Sequence, residues 1–143
     1  MPQPVDGPKK TPIGNRSLHR TRLTAPVRNL TIEGNMLRGD IYAVAGAGDF
    51  SGKPRPGLVV QSDLYNEFHP SVTVCPLSSH MTGDSLYRIP IYPDTQNALK
   101  WESEIEIDKI QAIWLHRLGR PIGRASDEVM AMVDAALRRW LDI

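Results

Sequence analysis

The sequence predicts a mainly β domain with a C-terminal helix, and three observations lead to that class. Short apolar runs separated by turn residues begin at residue 36, as in a small barrel or sandwich. The hydrophobic period changes from about two to about 3.6 residues after residue 125. Residues 1–35 carry five prolines and no sustained periodicity, so they fall outside the domain.

The predicted strands alternate with turn segments rich in glycine, proline and serine. β-Branched residues and two-residue alternation place the strands at residues 41–44, 57–61, 71–77, 87–92 and 104–111. Pro90 cannot donate a ladder hydrogen bond, which places the fourth strand at a sheet edge or a bulge. Cys75 lies in an apolar run and is expected to be a small buried hydrophobe.

The fifth predicted strand has two chemically different faces. Ile105 and Ile107 point one way, whereas Glu104, Glu106 and Asp108 point the other way. A carboxylate on the acidic face could act as a general base. The alternative is an ordinary solvated strand face.

The helix is predicted to begin after Ser126, which is a suitable N-cap residue. Two acidic residues follow in the first turn, and two arginines in the last turn suit the helix dipole. Its apolar residues follow helical spacing at Val129, Met132, Val133, Ala136, Leu137, Trp140 and Leu141. We interpret the helix as a structural brace against the sheet.

The composition is that of a globular protein without an evident membrane span. The chain has 143 residues, 41% of them hydrophobic, and no apolar run is long enough to cross a bilayer. No secretory signal pattern is present, and Cys75 is the single cysteine, which suits the cytoplasm. Of 17 basic and 16 acidic residues, residues 1–35 hold six and two, so the tail is +4 and the domain is −3. A nucleic-acid binder is usually basic overall, so a nucleic-acid site in this domain would need locally concentrated positive charge.

Residues 1–35 are interpreted as a basic, proline-rich and mostly disordered leader to a domain over residues 36–143. Three explanations stay open for it. It could be a leader upstream of a natural start at Met36, a basic arm that contacts RNA, or a targeting peptide. The first is favoured because the patterned sequence begins abruptly at Met36.

No metal or nucleotide-cofactor motif is present, so neither a metal nor another cofactor is predicted. His19, His69, His80 and His116 form no close pair, and one cysteine offers no zinc spacing. The phosphate-binding loop and the dinucleotide fingerprint are both missing.

Two short segments could carry chemistry on a phosphate. Arg55 stands between Pro54 and Pro56 at a loop-to-strand junction, where a rigid backbone would present its guanidinium to a phosphate. Ser78 and Ser79 follow a strand and could donate to phosphate oxygens. From composition alone, a solvated turn and a strand-end turn are the commoner explanations of these segments.

Taken in order, the motifs of residues 36–143 resemble the MazF/PemK toxins of type II toxin–antitoxin systems. They are Arg38-Gly39-Asp40-Ile41-Tyr42, Gly52-Lys53-Pro54-Arg55-Pro56, Leu58-Val59-Val60-Gln61, Thr73-Val74-Cys75-Pro76-Leu77-Ser78-Ser79, Ser103-Glu104-Ile105, Asp108-Lys109-Ile110, Arg117-Leu118-Gly119, Ile122-Gly123 and Ala136-Leu137-Arg138-Arg139-Trp140-Leu141. Each motif is short, and the specificity lies in their order.

The resemblance implies an SH3-like small β-barrel with a C-terminal helix, usually a homodimer. It implies a metal-independent, sequence-selective endoribonuclease that cuts single-stranded RNA. In that reaction the 2′-OH attacks the adjacent phosphate, which leaves a 2′,3′-cyclic phosphate and a 5′-OH end. A cognate antitoxin is expected to hold the enzyme inactive by occupying the RNA groove.

By position, the resemblance makes Arg55 the residue that stabilises the phosphorane or protonates the leaving group, and Ser78 the residue that orients the phosphate. The residues expected to contact RNA are Gly52, Lys53, Ser79, Ser103, Asp108 and Lys109. The loop over residues 46–54 would gate and grip the RNA.

The chain departs from the family pattern at three places. One branch has an arginine where Glu106 stands and a histidine where Asp49 stands, so its His/Arg/Asp mechanism does not transfer. Ala98 replaces the glycine of a common Asn-Gly-Leu turn, which is expected to change geometry but not chemistry.

Two other functions compete with RNA cleavage. A toxin of the same fold, CcdB, poisons DNA gyrase, and fold alone does not separate the two activities. The other alternative is an RNA- or protein-binding barrel without catalysis. The presence of both Arg55 and Ser78 argues against a degenerate toxin.

Overall fold

The computed structural model describes residues 35–46 and 53–143, so nearly all of the predicted leader lies outside the described residues. The strands are β1 (Asp40–Val44), β2 (Arg55–Val59), β3 (Ser71–Ser78), β4 (Arg88–Ile91), β5 (Ser103–Glu106), β6 (Gln111–Trp114) and β7 (Leu118–Arg124). The helices are α1 (Asp63–Asn66) and α2 (Asp127–Leu141), with 3-10 turns at Ile107–Lys109 and Leu115–Arg117.

The seven strands form one antiparallel sheet with β3 at its centre. The order is β4-β5-β3-β2-β1-β7, and β6 pairs with β3 beside β5. The predicted mainly β class with a C-terminal helix is confirmed. The barrel is not closed, because no pairing joins the end strands β4 and β7 within the described residues.

The strand predictions succeed where the local pattern is clear. Pro90 lies in β4, which pairs only with β5 in the described sheet and is an edge strand as expected. The strand β7 was not predicted, because Gly119, Pro121 and Gly123 are typical of a loop. It pairs with β1 through two register shifts, which is how a strand can accommodate such residues.

The helix α2 begins as predicted and packs on one face of the sheet. The Ser126 hydroxyl accepts a hydrogen bond from the Val129 N–H, which caps the helix. The core under the helix contains Ile41, Leu58, Val60, Cys75, Leu77, Ile89, Ile91, Ile105, Ile107, Met130, Val133 and Ala136. Burial raises the pKa of the Cys75 thiol to about 12, so it is an inert core residue as expected.

The opening motif of the domain has a structural role. The Arg38 guanidinium forms an ion pair with Asp134 of α2 at 2.6 Å, and its Nε donates to the Val60 carbonyl at 2.9 Å. Asp40 pairs with Arg124 of β7 at 2.9 Å. These contacts tie the start of the domain to the helix and to the last strand.

The Asn97-Ala98-Leu99 turn shows why glycine is usual at its centre. Ala98 has a φ of 55°, in the left-handed region that favours glycine. Asn97 is buried, and its side chain donates to the Tyr92 carbonyl and accepts from the Leu99 N–H. The turn therefore keeps the geometry of a glycine turn and carries backbone strain at Ala98.

Candidate active site

Arg55 and Ser78 lie at the same end of the sheet because β2 and β3 pair in an antiparallel register. The paired residues nearest that end are Gly57 and Pro76. Arg55 is the first residue of β2 and Ser78 is the last residue of β3, each two residues beyond that pair. The antiparallel pairing therefore brings the two residues predicted to be catalytic to one end of adjacent strands.

Both side chains lie on the face of the sheet that is turned away from α2. The apolar residues packed on this face are Tyr42, Val44, Val59, Val72, Val74 and Ile113. Two-residue alternation along β2 puts Arg55 and Gly57 on the same side as Val59. A Cβ at Gly57 would come within 2.8 Å of Val44 Cγ2, so glycine permits the close packing of β1 and β2 beside the arginine.

The two side chains are suited to binding a phosphate diester. Arg55 is partly buried, and its Nε is shielded from solvent. The Ser78 hydroxyl oxygen accepts a hydrogen bond from the His80 N–H at 3.1 Å, which leaves its own hydrogen available to donate. A guanidinium fork and a hydroxyl donor can together hold the oxygens of one phosphate.

Two other predicted RNA-contacting residues flank this pair. Lys53 is exposed two residues before β2, and Ser79 is exposed directly after β3. Of the predicted gating loop over residues 46–54, residues 47–52 lie outside the described residues, and Gly52 is among them. The RNA contacts of these residues stay predictions.

The remaining three predicted contact residues are arranged differently. Ser103 is buried, and its hydroxyl donates to the Trp101 carbonyl at 3.0 Å. Asp108 binds Arg88 through two hydrogen bonds, of 2.7 and 3.0 Å. Lys109 is exposed at the end of a 3-10 turn beyond β5. The structure thus gives Ser103 and Asp108 protein partners, and only Lys109 presents its side chain openly to solvent.

Of the two interpretations left open for the acidic face of the fifth predicted strand, the ordinary solvated face is wrong for Glu104 and Glu106. Glu104 is 2% exposed and Glu106 is 7% exposed. Three hydrogen bonds from Thr82 and Gly83 satisfy the Glu104 carboxylate. Arg88 on the neighbouring strand β4 lies 3.4 Å from the Glu106 carboxylate and 3.9 Å from that of Glu104. The strand also ends at Glu106, and Asp108 lies in the following 3-10 turn. The Arg88 guanidinium, at 12% side-chain exposure, lies among the carboxylates of Glu104, Glu106 and Asp108 where solvent was expected.

The charge states in this cluster follow from the partners of each group. The Arg88 hydrogen bonds hold the pKa of Asp108 below its usual value. Burial opposes the charge of Glu104, but N–H donors from Thr82 and Gly83 outweigh it and lower its pKa. Burial raises the pKa of Glu106 despite the nearby Arg88. Ionised Asp108 in contact with a cation is therefore a poor candidate for a general base.

Arg88 is not among the residues predicted from the sequence, although a signal for it is present. In the sequence, Arg88 directly precedes the alternating Ile89 and Ile91, and carboxylates recur at every second residue from Glu104 to Asp108. Opposite charges on paired strands attract, and the register does place Arg88 opposite Glu106. The missing information was that these two strands are neighbours.

The described residues contain neither a cluster able to hold a metal ion nor a helix able to span a membrane. Within residues 35–46 and 53–143, no group of three or more His, Cys, Asp or Glu side chains is arranged to hold a metal ion. No helix of the described chain is long and apolar enough to span a membrane.

Comparison with known proteins gives a consistent result. A family model described as PemK-like, MazF-like toxin of type II toxin–antitoxin system matches residues 37–141. The probable endoribonuclease MazF of Mycolicibacterium smegmatis is 38% identical over 108 residues, which are 76% of this chain and 98% of that protein. Endoribonuclease EndoA of Bacillus subtilis is 30% identical over 104 residues, 71% of this chain and 90% of that protein.

Solved structures agree with the fold. The Mycobacterium tuberculosis toxin MazF-mt6 superposes with a TM-score of 0.62 at 24% identity, covering 73% of this chain and 97% of that one. A mycobacterial endoribonuclease in complex with its cognate antitoxin superposes with a TM-score of 0.62 at 19% identity, covering 76% and 96%.

Proposed function

This chain belongs to the PemK-like, MazF-like family of toxins of type II toxin–antitoxin systems, and we propose that it is an endoribonuclease that cleaves single-stranded RNA. Relatives at 38% and 30% identity are named endoribonucleases. The observation that supports the proposal is that Arg55, the first residue of β2, and Ser78, the last residue of the paired strand β3, lie at the same end of the sheet.

In the proposed reaction, the RNA 2′-OH attacks the adjacent phosphate. A bond forms between the 2′ oxygen and phosphorus, and the bond from phosphorus to the 5′ oxygen breaks. The 2′-OH loses its proton and the leaving 5′ oxygen gains one, which gives a 2′,3′-cyclic phosphate and a 5′-OH end. Negative charge grows on the phosphate oxygens, where Arg55 stabilises it and Ser78 orients the group.

The proposal extends to partners and location. We propose that a cognate antitoxin covers the Arg55–Ser78 end of the sheet, because a structurally similar endoribonuclease is found with its antitoxin. We further propose a homodimer that acts in the cytoplasm, where its RNA substrate and a reduced Cys75 are both expected. Lys53 supplies local positive charge beside the site.

The test is cleavage of a long single-stranded RNA by the purified chain in excess EDTA. Arg55→Ala is expected to lower the rate constant about 10³-fold, since it removes the main stabiliser of transition-state charge. Arg120→Ala, at an exposed position of β7, is the matched control and is expected to cut like the wild type. Circular dichroism confirms that each variant is folded, and end labelling by polynucleotide kinase without prior phosphatase treatment identifies 5′-OH ends.

Three results would contradict the proposal. Wild-type cleavage that disappears in EDTA would show a metal-dependent reaction. Full activity of Arg55→Ala would remove Arg55 from the chemistry. Intact RNA with folded wild type, across several RNAs, would favour a gyrase poison or a binding barrel.

A further inference from the structure

A shallow depression lies beside the proposed active site. It has a volume of about 460 Å³ and is lined by Ser79, Met81, Trp101 and Glu102. Ser79 directly follows Ser78, the last residue of β3, so the depression lies next to that end of the strand. A substrate that reaches the proposed site along the end of β3 would pass next to this depression.

The walls of the depression are fixed by the fold. The ladder pairs Ser78 with Glu104, which brings the segment after β3 beside the segment before β5. The Glu104 carboxylate accepts hydrogen bonds from the Thr82 N–H, the Thr82 hydroxyl and the Gly83 N–H at 3.0, 2.9 and 2.8 Å. Ser103 donates to the Trp101 carbonyl on the other side. This explains why Ser103 and Glu104 are buried at a functional end of the sheet.

The lining combines a large exposed aromatic surface with a negative charge. The Trp101 side chain is 69% exposed and Met81 is 40% exposed, so neither contributes fully to the core. An indole face is the surface on which unpaired RNA bases stack. The exposed Glu102 carboxylate repels a phosphate, so the depression is suited to a base and not to the RNA backbone.

We propose that Trp101, Met81 and Glu102 form a base-binding pocket in which one unpaired base next to the scissile phosphate stacks on the indole. Glu102 accepts hydrogen bonds only, so the pocket selects bases with an exocyclic amino group: guanine, adenine or cytosine. Uracil presents two carbonyls around a single N–H and is disfavoured. This proposal rests on the proposed function and adds a specificity determinant to it.

The first test measures kcat/KM on a pool of RNAs with random sequence. Trp101→Ala is expected to lower kcat/KM roughly 5- to 150-fold, the range for loss of one stacked base. Trp101→Phe keeps an aromatic face and is expected to retain most of the activity. The matched control is Trp114→Ala, because Trp114 is 59% exposed on β6 and should change kcat/KM less than about twofold.

The second test sequences the 5′-OH ends released by each variant. Wild type is expected to disfavour uracil at one position beside the cut, and Glu102→Gln is expected to relax that preference because an amide both donates and accepts. Equal kcat/KM for Trp101→Ala and wild type, or an unchanged base profile for Glu102→Gln, would overturn the pocket. Loss of antitoxin binding without loss of RNA cleavage in Trp101→Ala would also overturn it in favour of a protein partner.

Failure of the proposed function gives a different pattern. If wild type does not cut RNA, binding is measured with an uncleavable RNA in which each 2′-OH is replaced by hydrogen. Quenching of indole fluorescence in a Trp114→Phe, Trp140→Phe background then reports stacking on Trp101. Quenching would support the proposed base-binding pocket in a protein that is not a nuclease. If no quenching occurred, both the pocket and the nuclease activity would be rejected.

Discussion

Two arginines open strands of the same sheet and have different surroundings. Arg88 begins β4 and lies among the carboxylates of Glu104, Glu106 and Asp108, at 12% side-chain exposure. Arg55 begins β2, directly after Pro54, at the end of the sheet where Ser78 ends β3. The first is enclosed by charges that neutralise it, and the second stands at a loop junction beside groups that can bind a phosphate. The comparison teaches that the partner strand, and not the residue type, decides what an arginine does.

The largest expected effect on stability comes from Arg88. Replacing it in Arg88→Met leaves two buried carboxylates without their cation, which is expected to lower the free energy of unfolding by about 3 to 5 kcal/mol. Guanidinium denaturation measures the loss, and the exposed Arg120→Met is expected to change it by less than about 0.5 kcal/mol. Activity per folded molecule should persist. If Arg88→Met were as stable as the wild type, Arg88 would not have the structural role that distinguishes it from Arg55.

A smaller effect, on activity alone, is expected at Ser78. The variant Ser78→Ala removes a hydroxyl donor to a charged phosphate and is expected to lower kcat/KM about 10- to 100-fold, or about 1.4 to 2.7 kcal/mol. The exposed Ser85→Ala serves as the control. The cleavage rate under single-turnover conditions tests the role of Ser78. An unchanged rate would show that Ser78 does not act in cleavage and would leave Arg55 as the only catalytic candidate of the two.

The smallest expected effects are on the pH dependence of stability, and they have opposite signs. The pKa of Asp108 is lowered in the folded state, so its contribution is present above about pH 4 and disappears as the pH falls through the folded value. Asp108→Asn should therefore destabilise the protein at pH 7 more than at pH 3. The pKa of Glu106 is raised, so ionised Glu106 opposes folding at neutral pH.

Accordingly, Glu106→Gln should improve stability at pH 7 relative to its effect at pH 3. Urea unfolding midpoints at both pH values provide the measurement for the two variants. If both variants showed the same pH dependence, the proposed assignment of charge within the Arg88 cluster would be incorrect.

Features set by neighbouring residues in the chain were predictable from the sequence. The Ser126 cap, the helical spacing after it and the edge position of Pro90 all depend on local backbone chemistry, and all are confirmed. The motif around Arg55 also pointed to a phosphate site, although it could not exclude a plain surface turn.

Features set by strand pairing were not predictable. The burial of Glu104 depends on hydrogen bonds from Thr82 and Gly83, which are 22 and 21 residues earlier in the chain, and on Arg88 of another strand. The position of Arg55 and Ser78 at one end of the sheet depends on a register that the chain sets only after passing through α1. Trp101 was not among the predicted site residues, because a single tryptophan in a polar segment forms no sequence motif. Its exposure beside Ser79 became visible only in three dimensions.

The central claim is that Arg55 and Ser78 act on the same phosphate as one unit. A double-mutant cycle tests it directly, with kcat/KM measured for wild type, Arg55→Ala, Ser78→Ala and the double variant in excess EDTA. The account predicts that the double variant loses much less activity than the product of the two single losses, since either change already disables the shared site. Losses that multiply in full would show two independent sites and would contradict the account.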